Sequence, residues 1–418
     1  MLVSDLAENI IGSEIIKLAG EVNKKIQEGQ KIYNLTIGDF SPKEFPIPTE
    51  LTDYIKQAYS EGHTNYPPAN GIQDLRDAVS NLLDKRCQLS YSSDDILISG
   101  GARPLIYAVY RTLVNPGEKV IYAVPSWNNN HYSYLEGAVP VEILATPENN
   151  FMPSPADIEP HLKDAALLAL CSPQNPTGTT FTKEALSQIC EMVVKENHSR
   201  SSERKPLYVM YDQIYWELTY NNIEHVNPVT LNPEMKKYTI FVDGISKSLA
   251  ATGVRVGWSF GPNKVIAKMR AILSHIGAWA PKAEQVATAK FLQNEQAYVT
   301  FIEQQRQRVL TRLNGFYQGF VELKKEGFDV TAVAPQAAIY LTVQFNLIGK
   351  TTSLGKLLAN TKDVTAYLLN EAKVAIVPFY AFGTSPESTW YRLSVGTCSE
   401  ADVKEIINNL RNALSLLK

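Results

Sequence analysis

Five short segments carry polar side chains where an apolar run ends: SGGARP (99–104), PSW (125–127), SPQNPTG (172–178), DQIY (212–215) and DGISKSLAATGVRVG (243–257). In the first, Gly100 and Gly101 let the backbone approach a ligand closely, Ala102 and Arg103 follow, and Pro104 sits where a helix would start. Free N–H groups at such a helix start, with the helix dipole behind them, favour a phosphate. The same pattern also suits a plain strand-to-helix turn. SPQNPTG holds Asn175 between two prolines ahead of a terminal glycine, which makes a rigid, non-helical excursion that fixes the direction of an amide. Asp212 ends an apolar run with Tyr215 three residues on. An acid in that setting needs a partner, because an unpaired buried charge is expensive, and a helix cap is the structural alternative. Lys247 follows Ser246 after another apolar run, with Arg255 eight residues later.

These segments need a frame that brings them together. Between about residues 95 and 260, short aliphatic and β-branched runs alternate with stretches of helical period, which predicts an α/β domain with a mostly parallel sheet and helices on its faces. Seven strands are predicted, at 96–98, 120–124, 141–144, 166–170, 207–211, 239–242 and 255–260. Ligands of such sheets lie beyond the carboxyl ends of the strands, where all five segments fall. Leu186, Ile189, Cys190, Val193 and Val194 recur at i, i+3, i+4, i+7 and i+8, one buried stripe of an intervening helix. Residues 282–325 contain no proline and read as one or two long helices. Beyond them VAPQAAIYLTVQF, VAIVPF and WYRLSV read as strands and the C-terminal eighteen residues as an amphipathic helix, a smaller α+β lobe. The expected division is a large domain over 46–295 and a small one over 296–418, joined by residues 1–45.

Composition narrows the partners. The 418 residues are 44% hydrophobic and 20% charged, ordinary for a compact globular chain. Forty basic against 43 acidic residues give a formal charge of −3, too balanced for the broad basic surface that nucleic acid requires. Four scattered cysteines, Cys87, Cys171, Cys190 and Cys398, show neither metal-ligand spacing nor a disulfide framework. The start of the chain has no basic segment leading into an apolar core, and the longest apolar run, 165–171, is far short of a membrane span. A cytoplasmic protein without a membrane partner is expected.

Taken together, NPTG at 175–178, the Asp212/Tyr215 pair and the SKxxxxxGxRxG frame at 246–257, in that order, resemble the class I and II pyridoxal-phosphate aminotransferases of fold type I. The resemblance extends from Leu35-Thr36-Ile37-Gly38 through YPPANGI at 66–72 to Arg392. It implies the cofactor pyridoxal 5'-phosphate, with Lys247 forming the internal aldimine and then carrying the proton between Cα and C4′ as base and acid. It implies that Asp212 pairs with the pyridine nitrogen, that Tyr215 and Asn175 donate to the phenolic oxygen, and that Trp127 stacks on the ring. Arg255, Gly101, Ala102, Arg103 and Ser246 would surround the phosphate. Arg392 would grip the substrate carboxylate in a bidentate fork, with Gly38 leaving room beside it and Asn175 nearby. Tyr66 would reach the phosphate of a neighbouring subunit, which implies a homodimer with shared active sites.

Three positions depart from the family's usual pattern: Gln213 in place of glutamate, Ala337 in place of glycine, and Ala102-Arg103 where many relatives have lysine after the double glycine. The last bears on specificity for a dicarboxylic side chain. Trp279 falls where the family sends a partner-subunit loop toward the substrate, and suits either an aromatic or apolar substrate side chain or a packed interface. The activity implied is transamination between an α-amino acid and a 2-oxo acid, with glutamate and 2-oxoglutarate as one pair. A carbon–sulfur β-lyase using the same residues is the alternative. No metal site is indicated.

Overall fold

The computed structural model describes residues 3–10, 12 and 14–418. Its largest sheet has seven strands: β1 (Ile96–Ser99), β2 (Lys119–Val124), β3 (Val139–Leu144), β4 (Ala165–Cys171), β5 (Tyr208–Asp212), β6 (Thr239–Gly244) and β7 (Gly257–Phe260). They lie side by side as β1-β7-β6-β5-β4-β2-β3, with β7 antiparallel to both neighbours and every other pair parallel. Parallel strands covered on both faces read as continuous apolar runs rather than alternating ones, and β4, AALLALC, is the plainest case. Its side chains still divide by the period of two. Leu168 and Leu170 join the apolar cluster that contains Ile98, Val209 and Phe241, whereas Leu167 and Ala169 join the one that contains Met210, Ile240 and Val242.

The helices that matter below are α1 (Glu14–Gln27), α2 (Ala102–Leu113), α3 (Lys183–Ser199), α4 (Ile245–Ser248), α5 (Lys282–Gln293), α6 (Glu295–Lys325) and α7 (Glu400–Ser415). The stripe foreseen on α3 is buried at all five positions. The proline-free stretch resolves into two helices, α5 and α6, because Asn294 leaves helical geometry and its side chain accepts from the Ala297 N–H at 3.3 Å.

The C-terminal part builds a four-stranded antiparallel sheet from β8 (Val330–Ala332), β9 (Tyr340–Phe345), β10 (Val377–Pro378) and β11 (Trp390–Ser394), ordered β10-β11-β9-β8. Val309, Leu313, Phe316, Phe320 and Leu323 of α6 form one buried stripe, which shares its apolar cluster with Leu341 and Phe345 of β9 and Ile406 and Leu410 of α7. Tyr33 and Asn34 pair in parallel with Val374 and Ala375, which ties the N-terminal segment to this region.

Several strand limits differ from expectation by a residue or two, and VAIVPF splits into Val374–Ala375 and Val377–Pro378, which lie in different sheets; two further differences matter to the site. β7 starts at Gly257, not at Arg255, because Arg255 takes a left-handed backbone (φ 61°) that an extended strand cannot contain. β9 starts at Tyr340, after Ala338 turns the chain at φ 59°. Among the described residues no helix is long and apolar enough to cross a membrane.

Candidate active site

Residues following β1, β2, β4, β5 and β6 face one cavity of about 670 Å³, beyond the carboxyl ends of the sheet. Ile15 and Ala19 of α1, the segment Thr36–Asp39, and Tyr340 and Arg392 of the smaller sheet complete its wall. Every site residue nominated from the sequence lines it except Gly101 and Tyr66. Two other cavities, of about 520 and 670 Å³, lie between α6 and α7 and beside Arg86 and His225, away from these residues.

Gly101 lies directly beneath Arg255. It caps α2 at φ 94°, and a Cβ there would fall 2.2 Å from Arg255 Nη2, so only glycine lets the guanidinium lie across this turn. Arg255 is held by donating Nη1 to the Thr252 carbonyl at 2.7 Å and Nη2 to the Gly100 carbonyl at 2.8 Å. The first-turn N–H groups of α2 have no acceptor within their own helix. With Arg255 beside them they make a cradle for a doubly charged anion.

Lys247 rides on α4, a single turn after β6, and donates from Nζ to the Gly38 carbonyl at 2.5 Å. Burial drives its pKa down to about 8, opposed by the nearby charge of Asp39 and reinforced by Arg392, Arg103 and Arg255. Asp212 ends β5, where Oδ1 accepts from the Ile214 N–H at 3.1 Å. Burial lifts its carboxyl to about 6, against that backbone hydrogen bond and the charge of Lys247. The site thus holds an amine that loses its proton easily and an acid in want of a cationic partner.

Asn175 brings the large sheet and the small one together. Its Oδ1 accepts from Arg392 Nη1 at 3.0 Å, while Arg392 Nη2 donates to the Thr36 carbonyl at 2.6 Å. Arg392 is 2% exposed, and its Nε is buried without a partner among the described residues. The guanidinium lies over the rings of Tyr340 and Phe382, 4.7 and 4.8 Å from their centroids. Tyr215 shares a 2.6 Å hydroxyl contact with Tyr340. The space at Gly38 is taken by Tyr340, since a Cβ on Gly38 would fall 2.5 Å from the Tyr340 hydroxyl.

Trp127 is half-buried in the wall, with the exposed Arg103 guanidinium 5.1 Å from its ring, and Ser246 is buried beside Lys247. Tyr66 stands apart, 81% exposed and edge-on to Trp279 at 5.2 Å. Gln213 is fully buried and faces away from the cavity, its Nε2 3.4 Å from Asp243 Oδ2, an oxygen that also accepts from Trp216 Nε1 at 2.9 Å. The glutamine at this position therefore alters a network behind the site rather than its lining.

Sequence reasoning missed Asp39, Asn129, Thr252 and Tyr340, all in the wall. Asp39 accepts from Thr252 Oγ1 at 2.5 Å, and Asn129 is fixed by Tyr110 at 2.9 Å and Ser126 at 3.2 Å. Asp39 follows Gly38 directly and Thr252 lies within the SKxxxxxGxRxG frame, so a signal for these two was at hand. Tyr340 had none.

Comparisons with known proteins identify the family. Residues 30–410 match the family model described as aminotransferase class I and II. An aspartate aminotransferase of Geobacillus stearothermophilus is 30% identical over 375 residues, 89% of each chain. A bifunctional aspartate aminotransferase and glutamate/aspartate-prephenate aminotransferase of Petunia hybrida is 29% identical, covering 100% of this chain and 83% of its own. The crystal structure of the aspartate aminotransferase of Rhizobium meliloti superposes with a TM-score of 0.91 at 25% identity, covering 100% of both chains. With the fold, the family match and the long relatives in agreement, the chain belongs to the class I and II aminotransferases and is a pyridoxal-phosphate-dependent transaminase of fold type I.

Proposed function

We propose that the cavity moves an amino group between an α-amino acid and a 2-oxo acid, with glutamate and 2-oxoglutarate as one pair. The observation that carries this reading is the company of Lys247: its half-buried amine shares a cavity with Asp212 and Arg392, and among the described residues the lining holds four cationic side chains against two acidic ones. Such a site suits ligands that bring a phosphate and a carboxylate. The Petunia relative is named for glutamate and aspartate, which supports the choice of pair.

Pyridoxal phosphate fits the donors present: the Gly101–Arg255 cradle suits its phosphate, and the Asp212 carboxyl suits its ring nitrogen. When bound, it supplies an electron sink for the carbanion left at the substrate Cα. Lys247 would hold the cofactor covalently and then carry the substrate's proton, a task suited to an amine whose pKa is lowered to about 8. Tyr215 and Asn175 donate to the ring oxygen. Trp127 would cover the ring, Ser246 and Arg103 would hold the phosphate, and Arg392 would grip the substrate carboxylate through its planar fork. The buried, unpartnered Nε of Arg392 is a donor available for that purpose.

The deciding experiment is single-turnover reaction of the cofactor-loaded protein with a panel of amino acids, followed by 2-oxoglutarate. Stoichiometric keto acid and regeneration by 2-oxoglutarate are expected. Pyruvate and ammonia from a sulfur amino acid with no acceptor present would identify a β-lyase instead.

The amine of Lys247 sets a pH dependence. Only the deprotonated amine would condense with the cofactor's aldehyde, with loss of water, so the rate of loading is expected to rise with pH and to be half-maximal near pH 8. A stopped-flow series between pH 6 and 9.5 measures this, and a flat profile would show that another step controls loading.

The exposed Tyr66 fits a role in a partner's site, within a two-fold dimer. Mixing Tyr66→Ala with Lys247→Ala subunits under reversible dissociation tests it. One of each heterodimer's two sites then carries both lesions and the other neither, so activity returns. If heterodimers form and activity stays at the level of the parents, Tyr66 acts within its own chain or not at all.

A further inference from the structure

Tyr340 touches three separately encoded parts of the site. Its hydroxyl meets that of Tyr215 at 2.6 Å, its ring lies under the Arg392 guanidinium at 4.7 Å, and its oxygen occupies the space left by Gly38, whose carbonyl receives Lys247 Nζ. Tyr215 and Tyr340 are each 2% exposed, so neither ring is open to bulk solvent. Strand pairing fixes the position from below: Tyr340 begins β9, and two residues on Thr342 pairs with Arg392 across the ladder.

We propose that Tyr340 is a positioning residue for transamination, its hydroxyl aiming and strengthening the Tyr215 donor while its ring holds Arg392 flat for the substrate carboxylate. The proposal rests on the reading of Tyr215 as the donor to the cofactor's ring oxygen. A tyrosine has one hydroxyl proton. If Tyr215 directs its proton at the cofactor, Tyr340 must be the donor within the pair, and hydrogen bonds in such a chain polarise one another in a low-dielectric site. Losing the Tyr340 proton weakens Tyr215 as a donor. The cofactor's oxygen then keeps more negative charge and holds the proton shared with the Lys247 linkage more firmly, so that proton leaves at higher pH.

The other ionisable groups that face Lys247, Tyr215 and Tyr340 are Asp39, Asp212, Cys171, Arg103, Arg255 and Arg392. Tyr340→Phe changes none of them and keeps the ring. In the cofactor-loaded protein, the pH midpoint of the visible absorption should rise by about half a unit in Tyr340→Phe, roughly a threefold change in the equilibrium, with KM for the amino acid nearly unchanged. Tyr340→Leu should show the same midpoint shift and, having lost the ring under Arg392, a KM raised about tenfold, the scale of one cation–π contact out of water. The double variant Tyr215→Phe/Tyr340→Phe should titrate with Tyr215→Phe alone, because the second hydroxyl acts only through the first.

A Tyr340→Phe midpoint equal to the unsubstituted protein's, beside a shifted Tyr215→Phe, overturns the role of Tyr340 and leaves that of Tyr215 standing. An unshifted Tyr215→Phe overturns the reading of Tyr215 itself. Additive shifts in the double variant would mean that Tyr340 does not work through Tyr215.

Discussion

Lys247→Ala is expected to lower the rate of amino-acid conversion by about 10⁴-fold or more, the upper range for a positioned acid–base group. The variant should still bind the cofactor through the cradle, since Arg255 is anchored by the carbonyls of Thr252 and Gly100 and not by Lys247. Two losses combine in it: the covalent tether and the group that moves the proton. Among the described residues no other lysine lines the cavity, so no nearby amine substitutes. Single-turnover rates with a saturating amino acid measure the effect, and borohydride reduction followed by peptide mapping locates the attachment. Retention of more than one hundredth of the rate, or a reduced pyridoxyl group on another lysine, would remove Lys247 from this role.

Asp212→Asn is expected to keep the fold and to lose at least about 10²-fold in rate, the usual scale for removing one oriented electrostatic partner. The half-buried carboxyl ends β5 with its pKa raised to about 6, so holding it charged without a cationic partner is less favourable than for an ordinary carboxylate. A protonated ring nitrogen supplies the missing countercharge, and the pair then stabilises the charged carboxylate strongly. An amide has the same shape and no charge. It therefore leaves the ring nitrogen neutral and the ring a weak acceptor of electrons. The sign with pH follows: as pH falls through about 6 the carboxyl of the empty site becomes protonated, and cofactor binding weakens on the acid side. Near-normal turnover in Asp212→Asn, with an unchanged circular dichroism spectrum, would show that Asp212 is a structural carboxylate.

These residues differ in how visible they were before folding. Asp212, Asn175 and Lys247 were legible because each follows an apolar strand within a few residues, and a parallel sheet sends all such ends to one side. The α3 stripe and the apolar runs of the sheet were legible for a related reason, since helix and strand periods are local and repeat in the chain. Even within this local range several strand limits were misjudged, two of them at the site. Arg255 and Ala338 sit in apolar surroundings that favour a strand, and only the structure shows the left-handed turn each makes.

The amino-acid sequence by itself determined the α/β frame, the side of the sheet that carries the chemistry, and the residue types waiting there. Tertiary structure alone decided that Tyr340 fills the space at Gly38 and reaches Tyr215, that Arg255 lies across Gly101, and that Arg392 meets Asn175 from 217 residues away. A tyrosine at the start of an apolar strand looks the same whether it fills the core or faces a cavity, and this chain has 21 tyrosines to choose among. Their pairing depends on how whole elements pack, through burial that is non-directional and spread over many side chains, and no short stretch of sequence encodes it.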